Sequence, residues 1–280
     1  MLRNEGDRLR RVVVCAPRRE YFEVENPAAH NIGETADPMK ASAQHRKLRA
    51  VLRGSGARVV DLRELAGHPN SVFARDAGLV TPDGYIKLRM GLRTRRGEED
   101  WMASALDSLG LPCAGKIEEP GTVEGGDVIL AGEVAFVGLS ARTNRSGVRQ
   151  LSRFLMRMGF EIRTLRLPSH QLHIGGVMST VGPRSVVCCR KVFPRGFFDG
   201  FEVVQISCPE ASSSNVIGLG NGRVIVEQGC PSTARALQEA GFFVHRVDLS
   251  EFVKGRGGPT CLIMPVDRGQ PEKKAGRVSK

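Results

Sequence analysis

The sequence contains no long uninterrupted apolar run and no paired metal-ligand motif. Without an apolar segment of about 20 residues, no membrane-spanning helix is expected, and the first ten residues lack the apolar centre of a signal peptide. The seven cysteines include no CxxC pair, so the odd count favours reduced thiols over disulfides or structural zinc. These absences predict a cytoplasmic protein that binds neither a membrane nor a metal.

Aromatic side chains are also scarce, at 5% of the chain, whereas the excess of lysine and arginine gives a formal net charge of +11. Such an excess can mark a nucleic-acid-binding protein. Here the positive charges are spread through every segment, and part of the excess lies in residues 268–280, so no nucleic-acid partner is expected. With 41% hydrophobic residues, the 280-residue chain can bury a full core.

Internal repetition is the main organisational feature of the sequence. A helix-like stretch ends near a glycine and continues into an apolar strand at five places, which begin at Gly56, Gly110, Gly159, Gly200 and Gly241. Glycine suits the left-handed residue that ends a helix, and another apolar strand precedes each helical stretch. Five strand–helix–strand modules would close around a pseudo-fivefold axis. The fourth helix is expected to be short because Pro194 interrupts it.

A third apolar segment follows each module and is predicted to be a strand, because it is short and rich in β-branched residues. These segments carry, in chain order, Asp76, the pair Glu124 and Asp127, His173, Asn215 and Cys261. Singly, each has a structural explanation, such as a buried cysteine that acts as a small hydrophobe. Equivalent module positions instead predict that these groups meet at the axis.

A cysteine, a histidine and a carboxylate are the components of a site with an activated thiolate. The additional acids would hinder an anionic substrate, but they would hold a planar cation through charge-assisted hydrogen bonds. A guanidinium group is the cation that fits this description. The sequence therefore predicts a small-molecule guanidino substrate.

Four segments carry a family resemblance: NSVFARD at residues 70–76, TVEGGDVILAGEVAFVGLSARTN at 122–144, LHIGG at 172–176 and GGPTCLIM at 257–264. Through them the chain resembles the guanidino hydrolases and amidinotransferases of the pentein fold, above all the dimethylarginine dimethylaminohydrolase family. The resemblance extends from about Arg11 to Val266. It implies an α/β propeller of five ββαβ-type modules, with one catalytic domain at residues 1–268 and a basic, disordered tail at 269–280.

For catalysis, the resemblance implies that Cys261 is the nucleophile, that His173 is the general acid and base, and that Glu124 supports them. Cys261 would attack the guanidinium carbon and form a thiouronium intermediate, which water hydrolyses to a citrulline-type product. No metal or organic cofactor is implied. A monomer or a homodimer is expected.

For substrate binding, the resemblance implies that Asp76 holds the guanidinium, with Asn70 and Arg75 lining the same segment. Arg142 and Arg95 match positions that hold the substrate α-carboxylate, for which the planar fork of arginine is suited. Asp127 either touches the substrate or braces the EGGD turn. The long segment at residues 16–39 is interpreted as a lid over the site, because it is rich in Pro, Asn and Gly.

Two positions bear on the substrate. Gly175 stands where arginine deiminases and amidinotransferases carry a second acid, and its presence favours a methylated nitrogen, which has no hydrogen to donate to such an acid. Arg75 instead resembles the deiminase-like FxRD pattern. A deiminase or amidinotransferase acting on another guanidino compound is therefore an alternative. A second alternative is a non-catalytic pentein that binds RNA or the ribosome.

Overall fold

Five three-stranded sheets make up the fold over the residues that the structure describes. The structure is a computed structural model that describes residues 1–189, 192–207 and 213–269. Within each sheet, the middle strand pairs antiparallel with one neighbour and parallel with the other. Of the predicted basic tail, only Gly269 is described, and residues 270–280 lie outside the described part.

The strands follow the predicted module order. They are β1 (Arg8–Cys15), β2 (Arg58–Leu62), β3 (Gly78–Thr81), β4 (Gly84–Lys87), β5 (Cys113–Lys116), β6 (Val128–Ala131), β7 (Val134–Leu139), β8 (Glu161–Arg166), β9 (Met178–Gly182), β10 (Ser185–Cys189), β11 (Glu202–Ile206), β12 (Ile217–Gly220), β13 (Arg223–Glu227), β14 (Phe243–Val247) and β15 (Ile263–Gly269). The sheets take them in the orders β3-β4-β5, β6-β7-β8, β9-β10-β11, β12-β13-β14 and β15-β1-β2. The last sheet joins the first strand to the last, so the five modules form a closed ring.

Helices connect the parallel strands of four modules. They are α2 (Pro38–Gly54), α3 (Glu98–Ser108), α4 (Arg145–Arg157) and α5 (Pro231–Glu239), while α1 (Arg19–Phe22) and α6 (Ser250–Val253) are single turns elsewhere. Asp37 caps α2 by accepting a hydrogen bond from the Lys40 N–H. The predicted glycine ends are confirmed; Gly159, for example, has a φ of +82° just after α4.

The fourth module differs from the others more than predicted, because a short helix was expected there. Between β10 and β11, the described residues 192–201 form turns and no helix. Pro194 lies in this stretch, where a proline would remove a helical hydrogen bond. Four phenylalanines lie in this connection. Three of them contact Phe136 of β7, and the fourth contacts one of the three. Aromatic packing thus covers the surface that a helix covers in the other modules.

The middle strand of each sheet is buried on both faces, as the pattern of β7 illustrates, with five of its six residues buried. The outer parallel strands are half-exposed, as in β8, and the helices cover the apolar side. Leu151 and Leu155 of α4, for instance, join one apolar cluster with Leu130 and Val137. The predicted α/β propeller is therefore confirmed, with the sheets arranged about a polar axis.

The third segments of the modules differ from the sequence prediction. Their polar residues do not lie in strands but in or next to short 3₁₀ turns, each placed before the first strand of its module: Ala74–Ala77, Gly125–Asp127, Ile174–Gly176 and Pro259–Leu262. A strand would send alternate side chains to opposite faces. A turn instead lets neighbouring residues project towards the axis, so these turns carry the candidate site.

The cysteines depart in one respect from the expectation of reduced thiols. Cys15, Cys113, Cys188, Cys230 and Cys261 are free, whereas Cys189 is in a disulfide. The expectation is therefore wrong for Cys189.

Among the described residues, every helix is too short or too polar to span a bilayer.

Candidate active site

The 3₁₀ turns of the modules meet at a cavity of about 520 Å³ on the propeller axis. Cys261, His173 and Asp76 all line it, although they come from three different modules. The structure thus brings together the thiol, the imidazole and one of the predicted acids. A site of this kind can bind a small cation and attack it with sulfur.

His173 and Glu124 form a buried pair next to the cavity. The Nε2 atom of His173 lies 2.8 Å from Oε2 of Glu124, and the histidine is 6% exposed while the glutamate is fully buried. Glu124 is absent from the lining of the cavity. Its carboxylate therefore orients the ring from behind and leaves the Nδ1 side towards Asp76.

Glu124 is held by donors on its other oxygen. Oε1 accepts hydrogen bonds from the backbone N–H groups of Gly91 and Leu92, both at 3.0 Å, and Arg142 Nη1 lies 3.3 Å from it. Burial alone would raise the pKa of Glu124, but His173 and the neighbouring arginines outweigh burial and lower the pKa well below its usual range. Glu124 is therefore ionised at any physiological pH.

His173 is surrounded by acids. Its Nδ1 atom lies 3.7 Å from Oδ1 of Asp76. Burial acts to lower the pKa of His173, but Asp76, Asp127 and Glu124 together raise it to about 9. The imidazole accordingly carries a proton at neutral pH and can act as an acid.

Asp76 is buried but faces the cavity. Its Oδ1 atom accepts a hydrogen bond from the N–H of Gly126 at 3.1 Å. Its Oδ2 atom accepts one from Arg95 Nη1 at 2.5 Å. A guanidinium group thus already contacts this carboxylate, which shows that the geometry accommodates one.

Arg95 differs from the expectation that it faces a substrate carboxylate. Its guanidinium is 3% exposed and also bonds Glu98 Oε2, at 2.6 Å from Nη2. The carbonyl oxygens of Asn70 and Phe73 accept from the same Nη2. Most of the donors of Arg95 are therefore used within the protein, and the side chain positions Asp76.

Cys261 lies in the 3₁₀ turn before β15 and is half-buried. Its Sγ atom is 3.7 Å from Nδ2 of Asn215, whose Oδ1 atom accepts hydrogen bonds from the N–H and hydroxyl of Thr260 at 2.7 and 2.8 Å. Asn215 thereby fixes the turn. Burial and the charge of Asp76 raise the pKa of Cys261 to about 11, although Asn215 and Arg75 oppose the shift.

Two glycines are required by close approaches in the site. A Cβ atom on Gly126, in the EGGD turn, would lie 2.7 Å from Nδ1 of His173 and 2.6 Å from Oδ1 of Asp76. A Cβ atom on Gly258 would lie 2.6 Å from the side chain of Asn215. Any larger residue would therefore displace the functional side chains themselves.

Asp127 was predicted either to touch the substrate or to brace a turn, and its contacts favour the bracing role, whereas Arg75 was predicted to bind substrate and is engaged by another residue. Asp127 is fully buried away from the cavity lining, where it accepts hydrogen bonds from the Ser140 hydroxyl at 2.6 Å and the Ile174 N–H at 3.0 Å. It braces the turn that follows His173. Arg75 lines the cavity but points along the axis, away from Asp76, and binds Glu5 with both terminal nitrogens.

The outer part of the cavity is lined by Asn70, Arg142, His30, Asn31 and Arg256. The predicted lid segment supplies His30 and Asn31, whereas Tyr21 is buried against Phe252 and does not reach the cavity. Asn215 lines the cavity, as its matching position in the fourth module predicted, although the sequence assigned it no role. His30 and Arg256 were missed as site residues.

Asp76, Glu124 and His173 have potential ligand atoms within 4.8 Å of one another. A metal needs a neutral imidazole. Since the pKa of His173 is raised to about 9, a metal would have to displace its proton at neutral pH. The arrangement therefore favours proton transfer over metal binding.

Comparisons with known proteins agree with the geometry. A family model described as N,N dimethylarginine dimethylhydrolase, eukaryotic, matches residues 22–268. An N(G),N(G)-dimethylarginine dimethylaminohydrolase of Streptomyces coelicolor is 32% identical over 201 residues, which cover 69% of this chain and 73% of the relative. A protein of the same name in Pseudomonas aeruginosa is 29% identical over 253 residues, 90% of this chain and 98% of the relative.

The fold is also similar to solved structures. The structure of the enzyme from Pseudomonas aeruginosa, in a cysteine-to-serine variant complexed with citrulline, superimposes with a TM-score of 0.81 at 27% identity. The match covers 92% of this chain and 99% of the other.

Proposed function

The chain belongs to the N,N-dimethylarginine dimethylhydrolase family, and on that premise we propose that it hydrolyses a methylated arginine to citrulline and an alkylamine. The observation that carries the proposal is the arrangement of Cys261, His173 and Asp76 around one cavity. The sequence predicted both this family and this reaction. Relatives of the same family name, and the citrulline complex of one of them, support the assignment.

In the proposed mechanism, the thiolate of Cys261 attacks the central carbon of the guanidinium. His173 donates its proton to the departing nitrogen, and dimethylamine leaves as the C–N bond breaks. A thiouronium on Cys261 remains. The now neutral His173 takes a proton from water, the hydroxide attacks the same carbon, and the C–S bond breaks. The proton of the new hydroxyl group returns to the sulfur as citrulline leaves, and the proton that the thiol lost at the start goes to the released dimethylamine.

The pKa values of Cys261 and His173 indicate which of the two groups carries a proton before substrate binds. With a pKa of about 11 for Cys261 and about 9 for His173, the free enzyme holds a neutral thiol beside a protonated imidazole. Asp76 contributes to the raised pKa of the thiol. A guanidinium bound at Asp76 offsets that negative charge and favours the thiolate, so the substrate itself promotes formation of the nucleophile.

Substrate binding is proposed to divide between the two walls of the cavity. Asp76 receives the guanidinium, and Arg95 fixes the orientation of Asp76 from behind. At the outer part, Arg142 is proposed to hold the α-carboxylate. Asn70, which lines the same part of the cavity beside His30, is proposed to contact the α-amino group.

Methylated arginine is favoured over arginine by Gly175. This residue has no carboxylate to bind a second guanidinium nitrogen, and a dimethylated nitrogen has no N–H to offer one. Arg75, which resembled the deiminase pattern, is bonded to Glu5. Because it turns away from Asp76, it gives no support to the alternative of arginine as substrate. The buried catalytic cluster likewise gives no support to a non-catalytic, RNA-binding pentein.

The substrate test compares arginine, monomethylarginine and asymmetric dimethylarginine as substrates, with citrulline, ammonia and alkylamine measured for each. We expect citrulline and dimethylamine in equal amounts from dimethylarginine. The Cys261→Ser variant should lose at least about 10⁴-fold in turnover, while Cys113→Ser, which changes an exposed free thiol, should retain full activity. Absence of citrulline from all three compounds would reject the proposal.

A second experiment tests the cation-binding role of the site by alkylation. A haloacetamidine mimics a guanidinium, whereas the matching haloacetamide is neutral. We expect the amidine to alkylate Cys261 much faster than the amide, and mass spectrometry to locate the label. Equal rates would show that the cavity does not select a cation.

We further propose that residues 1–268 act as a single catalytic domain in the cytoplasm, as a monomer or homodimer, without a nucleic-acid partner. The family match over residues 22–268 supports the domain boundary. Light scattering of the purified protein, with and without added RNA, tests the last two points.

A further inference from the structure

The active-site cavity does not end at Cys261 but continues along the propeller axis. Its far part, here called the axial end, is lined by Glu5, Arg75, Thr180, Gly218 and Arg268. All five are buried. The proposed mechanism gives none of these five residues a role, although three of them are charged and buried.

The charge of Glu5 is fully engaged by Arg75. The two carboxylate oxygens accept hydrogen bonds from Arg75 at 2.7 and 2.8 Å, and Oε1 also accepts from the Leu130 N–H at 3.2 Å. Arg75 donates further to the carbonyl oxygens of Gly125 and Val128. This is a complete bidentate pair, which leaves little capacity for a second cation.

Arg268 is the second cation, and it lacks such a pair. It is 7% exposed, and its Nη1 atom donates to the carbonyl oxygens of Asp7 and Gly218 at 2.8 and 2.7 Å. Its Nε atom is buried with no hydrogen-bond partner in the described residues. Within those residues, no carboxylate lies at ion-pair distance from it, although Glu5 and Asp7 are near enough to act electrostatically.

An unpaired guanidinium in such a place is unfavourable. Arginine does not lose its proton at physiological pH, and a buried charge without a counter-charge costs several kcal/mol. Arg75 adds repulsion. Among the residues that line the axial end, two guanidinium groups face one carboxylate, and Asp7 acts on Arg268 only from outside this lining. A bound anion would compensate the excess positive charge within the cavity.

We propose that the axial end binds one small monovalent anion of halide size against Arg268. Arg268 supplies the charge and the N–H donors of Nη2, which bonds no other atom of the described residues, since its two hydrogen bonds use Nη1. Thr180, whose hydroxyl has no hydrogen-bond partner among the residues described, supplies an O–H donor on the same lining. In the catalytic part of the cavity, by contrast, Asp76 is the carboxylate that lines the wall, so the two parts bind groups of opposite charge.

The direct test is crystallographic and uses bromide. Crystals of the wild-type protein are grown or soaked in sodium bromide, and anomalous diffraction is measured at the bromine absorption edge. We expect a peak at the axial end within hydrogen-bond distance of Arg268. Peaks confined to the protein surface, or no peak at all, would overturn the proposal.

A solution test uses unfolding in sodium chloride against sodium gluconate at equal ionic strength. A ligand that binds only the native state lowers the unfolding constant by a factor of one plus its concentration over Kd, roughly 100-fold at about 100 times Kd. We expect a saturable effect of chloride. Gluconate, which is too large for the site, should give none.

Arg268→Met should abolish the chloride effect, and in gluconate it should be at least as stable as wild type, because the unpaired charge is gone. Arg246→Met is the matched control, since Arg246 is exposed and bonds only the Gln228 carbonyl; it should keep the chloride effect. An equal chloride effect in Arg268→Met would contradict the proposal. If that variant does not fold, the bromide experiment decides alone.

Discussion

The two ends of one cavity have opposite electrostatic characters. At the catalytic end, Asp76, Glu124 and Asp127 surround a single histidine, whereas at the axial end Arg75 and Arg268 oppose a single glutamate. The elements that supply the side chains also differ. The catalytic groups come from 3₁₀ turns and the residues next to them, whereas Thr180, Gly218 and Arg268 at the axial end lie within strands β9, β12 and β15.

Neighbouring residues of one module serve different ends of the cavity. Arg75 and Asp76 are neighbours in one 3₁₀ turn, yet one points to the axial end and the other to the catalytic end. Asp76 can therefore bind a cation, whereas Arg75 forms a buried ion pair with Glu5. Substitutions at the axial end should therefore change the stability of the protein, and substitutions at the catalytic end should change its activity.

The largest expected effect is on stability at the axial end. Arg75→Met leaves Glu5 buried without its partner and should lower the free energy of unfolding by about 3–5 kcal/mol. Combining it with Glu5→Gln should recover part of this loss. Urea unfolding measures both, and Arg19→Met, which removes an exposed pair with Glu23, should change the free energy of unfolding far less, because solvent screens that pair. Equal losses for Arg75→Met and Arg19→Met would contradict the buried-pair assignment.

A smaller effect, on activity, is expected from Asp76→Asn. Loss of a charged hydrogen-bond acceptor for the guanidinium should reduce kcat/KM for dimethylarginine by about 10- to 150-fold. Steady-state release of citrulline measures it, with Asp100→Asn, an exposed acid paired with Lys87, as the control. If the activity of Asp76→Asn stayed within twofold of wild type, the guanidinium would have to bind elsewhere.

The third prediction compares two buried histidines by NMR titration. Acids hold the pKa of His173 at about 9, whereas burial beside Arg49 lowers that of His45 to about 3. Because the folded pKa of His173 lies above its unfolded value, its stabilisation is complete below about pH 6.5 and is lost as the pH rises through 9. Similar titration midpoints for the two rings would refute the electrostatic description.

The smallest effect is expected at the outer rim of the cavity. Arg142→Lys keeps the charge but loses the planar fork, and KM should rise roughly tenfold, about 1.4 kcal/mol. Arg145→Lys changes an exposed arginine three residues away and should leave KM unchanged. A fall in kcat at constant KM would instead show that Arg142 acts through Glu124, which it contacts.

Much of the site could be predicted from the sequence, for a physical reason. Asp76, Glu124, His173 and Cys261 occupy equivalent places in a repeat, and closure of the ring brings equivalent places to the axis. The directions of Arg75, Arg95 and Asp127 could not be predicted. In a 3₁₀ turn, adjacent side chains diverge, and whether a charged group faces the cavity depends on partners such as Glu5, Glu98 and Ser140 from other segments.

The sequence by itself determined the five modules, the glycine ends of the helices and which polar groups meet near the axis, because these depend on local spacing and on the repeat. Only the tertiary structure decided their ionisation and orientation. The neutral thiol of Cys261 and the protonated His173 result from burial and from charges that three modules contribute. Such interactions arise between residues far apart in the chain, so no local pattern encodes them.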